Sequence, residues 1–258
     1  MEIEIFWKFT AFLFGLVFGS FFNVLIYRLP KEMNIAKPRS FCPVCKTPIP
    51  WYHNIPVISY IFLRGKCHFC GTKIPIRYPV VELLTGFLFL ANYKFFGLSF
   101  TFVLNIIFSS IFLVLFFTDL EERILPDELT IGGSILALGL SFLRKDVFWI
   151  ESFIGGLIGF LIFIGAYFLF LKAKNKEGLG WGDIKYIILI GAFFGPMKML
   201  LIIILSSIIG VASWLFIVFL MKKERDYELP FGSYLSLVSI IFVFYGDKIT
   251  IAYNSVFR

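Results

Sequence analysis

The sequence predicts an all-α polytopic membrane protein of about eight transmembrane helices, with a small cytoplasmic loop domain between the first and second helices. Three observations predict this class. The 258 residues are 59% hydrophobic and only 16% charged, and the mean hydropathy is +0.88. Phenylalanine alone occupies 35 positions. Apolar runs recur along the whole chain, as expected of a protein that packs within a bilayer.

Eight apolar runs are candidate membrane spans. Most approach the ~20 residues that a perpendicular helix needs, but 127–143 and 183–195 are shorter. The runs are 5–27, 78–95, 99–118, 127–143, 149–171, 183–195, 197–221 and 230–246. We therefore expect three parts: a first helix (1–27), a loop domain (28–77) and a transmembrane domain (78–258).

The placement of basic residues predicts the orientation. If the N-terminus lies outside, the inside segments hold 17 of the 24 lysines and arginines. The first of them, 28–77, carries nine basic residues and a single acid, Glu32. Because basic loops remain on the cytoplasmic side, both termini are expected outside and the first loop inside. The same charge favours contact with anionic lipid headgroups over nucleic-acid binding.

All four cysteines lie in this loop, as two C-x-x-C pairs. Two such turns can aim four thiolates at one ion, which predicts a structural zinc site of one ion per chain. The alternative, two disulfides, conflicts with a reducing cytoplasm. The predicted ligands are Cys42, Cys45, Cys67 and Cys70.

Few carboxylates adjoin the apolar runs, and two of them stand out. Asp119 ends the third run and Asp183 opens the sixth, so both fall at cytoplasmic ends in the predicted topology. Two adjacent carboxylates can share one proton and act as base and acid in hydrolysis. Proton-coupled transport and a simple interfacial anchor are the alternatives that the residues leave open. Asp127 follows Pro126 at a helix start, where an acid complements the helix dipole.

Several blocks, in their order and spacing, resemble the type IV prepilin peptidases, which are GxGD-type aspartyl peptidases. The resemblance extends from about Gly19 to Gly232. The blocks are GSFFNVLIYRLP, CPVC, WYHNIPVISYIFLRGKCHFC, RYPVVE, TDLEERILPDELT, GLGWGDIK and LPFGSYL.

The resemblance implies a bifunctional enzyme of the bacterial inner membrane. It would remove the basic leader from type IV prepilins or pseudopilins at the cytoplasmic face. It would then N-methylate the new N-terminal residue with S-adenosylmethionine. The family's catalytic aspartates fall on Asp119 and Asp183, and its metal-binding cysteines on the two C-x-x-C pairs.

The GxGD block also predicts supporting residues. Gly180 and Gly182 are expected to form a loop that approaches the substrate backbone closely, since neither has a side chain. Lys185 belongs to the same loop. A phosphate-binding role is excluded because no strand precedes these glycines.

Four residues of the early blocks are candidate contacts for the methyl donor or the substrate: Gly19, Asn23, Arg28 and Glu82. Each also has a structural explanation. These are close helix packing for Gly19, an interhelical hydrogen bond for Asn23, a helix-end anchor for Arg28 and an ion pair with Arg28 or Arg77 for Glu82.

Three other functions remain open at this point. A proton- or ion-coupled transporter would also have several spans and intramembrane acids, although its acids are expected nearer the membrane midplane. A peptidase without methyltransferase activity would use only the aspartates. A membrane scaffold would use only the zinc loop, as a docking element.

Overall fold

The computed structural model describes residues 2–144, 146–174, 180–220 and 229–256, and the regular structure within these ranges is helical. The predicted all-α class is therefore confirmed. The short 3₁₀ turns Leu29–Lys31 and Trp51–Asn54 lie in the loop predicted for 28–77. The α-helices are α1 (Glu2–Arg28), α2 (Ile58–Phe62), α3 (Arg77–Phe96), α4 (Phe100–Glu122), α5 (Asp127–Ser141), α6 (Trp149–Lys174), α7 (Trp181–Leu220) and α8 (Phe231–Val256).

Within the described ranges, six helices are long and apolar enough to cross a membrane. They are α1, α3, α4, α6, α7 and α8. The count differs from eight for two reasons. The predicted span 127–143 forms α5, whose 15 residues extend only ~22 Å against a hydrocarbon core of ~30 Å. The predicted spans 183–195 and 197–221 form one element, α7.

Helix α7 is broken where the sequence predicts a boundary. Gly195 has φ 76° and ψ 173°, a combination that is open almost only to glycine. Pro196 follows; it lacks a backbone N–H and suits the first turn of a new helix. We call the two parts arm α7a (181–194) and arm α7b (196–220).

Contacts with α8 show that the two arms run in opposite directions. Along α7a, the contacted α8 residues have increasing residue numbers, and along α7b they have decreasing residue numbers. In order along α7, the contacts are Tyr186 with Ser236, Phe194 with Phe242, Lys198 with Asp247, and Ser206 with Tyr234. The chain therefore reverses at Gly195, and α7a and α7b are two antiparallel segments that meet at the boundary between the predicted runs 183–195 and 197–221.

The chain forms two compact units, Met1–Ser110 and Ile111–Arg258. In the first unit, α1 and α3 approach closely at glycines. A Cβ added at Gly15 would lie 2.7 Å from the Gly86 Cα, and one at Gly19 would lie 2.6 Å from the Glu82 Cα. Small residues thus bring the two backbones together, as is common between membrane helices.

In the second unit, α6 and α7a meet in the same way. A Cβ at Gly155 or Gly191 would overlap the backbone of the other residue. At one end of this unit, which we call the carboxylate end, α4 finishes and α5, α7a and α8 begin. Contacts of Lys185 with Asp127 and of Gly182 with Leu125 place these termini together. This common end positions the acidic residues described next.

Candidate active site and metal centre

Asp119 lies in the last turn of α4 and is buried. Its Oδ2 accepts a hydrogen bond from the backbone N–H of Ser233 at 2.6 Å and lies 3.0 Å from the Ser233 hydroxyl, whose single proton is shared with the Phe116 carbonyl at the same distance. Ser233 is in the first turn of α8, where backbone N–H groups have no partner within the helix. The carboxylate therefore caps α8 from another helix, and the two donors stabilise its negative charge.

Asp183 lies in the first turn of α7a and is half-buried. Its N–H donates to the carbonyl of Gly180, the residue just before the helix, at 3.1 Å. Leu125 lies against both Gly182, the residue before Asp183, and Gly232, whose added Cβ would meet the Asp119 carboxyl carbon, so both acids lie at the carboxylate end. The structure thus brings together the two acids that the sequence singles out, from helices 64 positions apart in the chain.

The two glycines of the GxGD block differ in position. Gly180 precedes α7, whereas Gly182 and Lys185 lie within its first two turns. The expectation of one supporting loop is therefore wrong for Gly182 and Lys185, because helical hydrogen bonding begins at Trp181. The preceding residues 175–179, which include Gly178, lie outside the described ranges.

The glycines near Asp119, Gly182 and Gly232, leave room for the side chain of Leu125. The buried Leu125 side chain packs between the starts of α7a and α8. A Cβ added at Gly182 would lie 3.1 Å from Leu125, and one at Gly232 would lie 3.0 Å from both Leu125 and the Asp119 carboxyl carbon. Larger residues at either glycine would displace Leu125 or Asp119, so these glycines set the position of the carboxylate.

Lys185 forms an ion pair with Asp127, and its Nζ lies 2.7 Å from both carboxylate oxygens. Asp127 begins α5 directly after Pro126, as predicted. The pair joins the first turns of α5 and α7a. Lys185 therefore supports the carboxylate end by connecting two helices.

Several residues of this site have no distinguishing local signal in the sequence. Ser233 and Leu125 contact the carboxylate or its glycines, and Tyr186 is fully buried with its hydroxyl 2.8 Å from that of Ser236. A leucine in an apolar run and a serine at a helix start are common, so no local pattern distinguished them. The only signal was the block LPFGSYL, which contains Gly232 and Ser233.

The four predicted metal ligands converge in the loop. The sulfur atoms of Cys42, Cys45, Cys67 and Cys70 all lie within 4.8 Å of one another, and the four thiols are free. The Cys42 and Cys70 sulfurs are 3.8 Å apart. A zinc ion with four Zn–S bonds of ~2.3 Å requires sulfur separations of about 3.8 Å. The arrangement fits one tetrahedral metal ion, and the disulfide alternative is not supported.

The two cysteine turns are structural repeats of each other. In each, the first cysteine N–H donates to the carbonyl of a threonine five residues later, Cys42 to Thr47 and Cys67 to Thr72. The residue before each threonine has a positive φ, 60° at Lys46 and 69° at Gly71. Because only one of these two is glycine, the repeat is clearer in the backbone than in the sequence.

Hydrogen bonding and burial shift the pKa values of two of these thiols in opposite directions. The Thr72 hydroxyl is 3.3 Å from the Cys70 sulfur, and it lowers the pKa of Cys70 to about 6 together with the Thr72 N–H. Burial instead raises the pKa of Cys42 to about 11. A divalent cation would favour the thiolate at all four positions, since metal ligands bind deprotonated.

The candidates on α1 and α3 lie around the crossing of these helices. Gly19 is accounted for by close packing against Glu82. The guanidinium of Arg28 donates to four loop carbonyls, those of Asn34, Ile35, Pro38 and Arg39. Arg28 therefore anchors the start of the loop to the end of α1, the structural role that the sequence analysis considered.

Glu82 and Asn23 both present acceptors. Glu82 Oε2 accepts the N–H of Val57 at 2.7 Å. Val57 has φ 61°, a strained conformation for a β-branched residue. Asn23 Nδ2 donates to the carbonyls of Gly19 and Tyr78. Its buried Oδ1 has no hydrogen-bond partner within the described ranges. This set of acceptors suits a cationic group.

Comparisons with known proteins agree with this architecture. The model of the bacterial peptidase A24 N-terminal domain matches residues 13–96, and that of the type IV leader peptidase family matches residues 106–215. No solved structure shows a significant match.

Three relatives illustrate the similarity, each named prepilin leader peptidase/N-methyltransferase. The protein of Aeromonas hydrophila is 32% identical over 93% of this chain and 91% of its own length. That of Legionella pneumophila is 34% identical over 92% and 91%, respectively. That of Myxococcus xanthus is 39% identical over 78% of this chain and 61% of its own length. The chain therefore belongs to the type IV leader peptidase family.

Proposed function

We propose that this protein cleaves the basic leader from type IV prepilins or pseudopilins and then N-methylates the new N-terminal residue. The observation that carries the proposal is that Asp119 and Asp183 lie at the same carboxylate end, in a chain that belongs to the leader peptidase family. Relatives that match nearly its whole length have names that combine both activities.

Cleavage uses the two aspartates as base and acid. Asp119 is the base, because the two donors of Ser233 favour its ionised form. It takes a proton from a water molecule as that water attacks the carbonyl carbon of the scissile bond. Asp183 gives its proton to the leaving nitrogen, and the peptide bond breaks. The products are a leader with a new carboxylate and a pilin with a free N-terminal amine.

The reaction takes place at the cytoplasmic face of the bacterial inner membrane. The distribution of basic residues supports this orientation, with both termini outside and the cysteine loop inside. Acids at the carboxylate end then face a basic leader. Asp127 is one of them, although Lys185 compensates part of its charge. Exposed charges of this kind contribute little individually.

The four cysteines would hold a structural zinc ion. Four thiolate ligands leave no open coordination position for water or substrate, so the ion orders the loop and takes no part in cleavage. The same loop contacts Arg28 and Glu82. Through these contacts, an ordered loop supports the region that we assign to methyl transfer.

S-adenosylmethionine is the proposed methyl donor, and its sulfonium supplies an electrophilic methyl group when bound. Glu82 and Asn23 would hold it or the amine of the cleaved pilin, since both present oxygen acceptors towards a cationic group. The amine must lose a proton before it accepts the methyl group. A buried carboxylate near that amine can accept this proton.

An ion-coupled transporter is not supported. The two aspartates lie at the ends of helices and not near their middle, and the relatives are peptidases by name. A peptidase without methyl transfer is distinguished by the experiment below. A scaffold function leaves the Asp119–Ser233 contact and the nearby Asp183 without a role.

The test is incubation of the purified protein with a prepilin and labelled S-adenosylmethionine, followed by mass spectrometry. We expect loss of the leader mass and gain of one methyl group. Loss without gain would indicate a peptidase alone. Asp119→Asn and Asp183→Asn should each slow cleavage by at least ~100-fold, with unchanged helical content. Full cleavage by either variant would contradict the assignment.

A further inference from the structure

We propose that a groove between α7b and α8 binds the apolar segment of the substrate that follows the cleaved bond. The proposal rests on the proposed function and adds where the substrate helix lies. The groove has a volume of about 320 Å³ and opens on the side of the second unit. Six of its lining residues are Ser207, Gly210, Val211, Trp214, Phe231 and Tyr234.

The groove begins next to the catalytic carboxylate. Phe231 lines it, and the following residue, Gly232, is the one whose Cβ would lie 3.0 Å from the Asp119 carboxyl carbon. Ser233, which holds Asp119, is next in the chain. A substrate cleaved at Asp119 advances only ~3.4 Å per extended residue. The first residues after the cleaved bond therefore lie within reach of the groove.

The shape and surface of the groove suit the side chains of an apolar helix. Gly210 has no side chain, and a Cβ added there would meet only Tyr234, at an ordinary contact distance of 3.7 Å. The remaining lining is mostly apolar and aromatic. The groove volume is at the lower end of the usual range for ligand pockets. It therefore accommodates a few side chains from one face of a helix.

The groove is open to the bilayer side of the helices. Val211 forms part of its edge and is 59% exposed, and the neighbouring Ile208 is equally exposed. Trp214 and Tyr234 also line the groove, and these residue types are enriched near membrane interfaces. An apolar helix can therefore enter sideways from the lipid, with its cleaved bond at the carboxylate end. A lipid chain and a second copy of this protein are the competing occupants.

The first test fills the groove with one side chain. Gly210→Leu adds an apolar side chain without a backbone clash. Gly165→Leu is the matched control, because a Cβ at Gly165 in α6 meets no atom within 4 Å. We measure KM and kcat for a full prepilin and for a peptide that ends just after the cleavage site.

Gly210→Leu should raise the KM for the full prepilin about tenfold, as expected when one large apolar side chain loses its burial site. Its effect on the KM for the short peptide should be clearly smaller, and Gly165→Leu should leave KM and kcat unchanged for both substrates. Equal kinetics for the two leucine variants would overturn the proposal, because a groove that holds only lipid does not discriminate between substrates.

The second test locates the substrate directly. A photoreactive residue at Val211, in an Asp183→Asn background that slows cleavage, should crosslink to the prepilin in membranes. The same residue at Leu169, which is exposed on α6, serves as control. Asp183→Asn is preferred to Asp119→Asn because Asp119 holds the start of α8.

Crosslinks from Val211 to lipid or to a second copy, or equal prepilin crosslinks from both positions, would overturn the proposal. These experiments distinguish failure of the proposed function from failure of the groove assignment. If the unmodified protein does not cleave prepilin, the proposed function fails together with the groove. If it cleaves normally but the Val211 crosslinks are absent, only the groove assignment fails.

Discussion

The cysteine loop and the helical unit that carries the aspartates are stabilised in different ways. Between positions 29 and 76, only Cys42 and Ser59 are buried. In arm α7a, by contrast, most side chains are buried, including Ile187, Leu189 and Ile190. The loop has almost no apolar core, so a metal ion must supply what packing does not. The helical unit depends on close packing at glycines.

This difference predicts that the two regions fail independently. Damage to the metal site should disorder the loop and spare the helical unit. Damage to the glycine contacts should destabilise the helical unit and leave the metal-bound loop intact.

Loss of the metal should have the largest effect. Cys42→Ser should reduce bound zinc from about one ion per chain to almost none, since structural zinc supplies ~10 kcal/mol or more of folding free energy. We expect rapid proteolysis within 28–77 and loss of methyl transfer, while leader cleavage changes only a few-fold. Elemental analysis and limited proteolysis measure the first two effects. Equal loss of cleavage and methyl transfer would show that the regions are not independent.

The glycine contact between α6 and α7a tests the stability of the helical unit without altering the metal site. Gly191→Ala places a methyl group against the backbone of Gly155, and such overpacking costs about 1–3 kcal/mol. The thermal transition of the helical unit should fall and cleavage should decrease, with the zinc content unchanged. Gly165→Ala is the control, because its new methyl group meets open space. A Tm equal to that of the control would contradict the packing explanation.

Ser233→Ala tests the hydrogen bonds to Asp119. It removes the hydroxyl donor at 3.0 Å and keeps the backbone N–H. A hydrogen bond to a charged group contributes about 1.5–3 kcal/mol, so kcat for cleavage should fall at least tenfold with little change in KM. Methylation of an already cleaved pilin should not change, and Ser233→Thr should restore part of the rate. An unchanged kcat would remove Ser233 from the site.

The smallest effect is expected for the Lys185–Asp127 ion pair. Its side chains are 33% and 56% exposed, and exposed pairs contribute ~0–1 kcal/mol. Lys185→Met should therefore alter cleavage by less than about fivefold, and salt should diminish the difference. A loss comparable to that of Asp183→Asn would give Lys185 a role in the chemistry.

The sequence predicted features that depend on local pattern. Apolar length predicted the helices, and the break within α7 falls between the two predicted runs 183–195 and 197–221. The length of α5 was overestimated, because apolar residues after Ser141 continue the hydrophobic run without continuing the helix. The spacing of the cysteines predicted one metal site, and the structure brings their four sulfur atoms together. The roles of Asp119 and Asp183 stay predictions, although the structure places them at one end.

The sequence by itself determined which segments are helical, where the thiolates and carboxylates stand along the chain and, through its ordered blocks, the family. These properties follow from the length of apolar runs and the spacing of reactive side chains. Only the tertiary structure decided that Ser233 holds Asp119 across 114 positions, that Leu125 packs against Gly182 and Gly232, and that a groove opens beside Phe231. Such contacts join residues on different helices, so they depend on packing in three dimensions and leave no periodic signal in the chain.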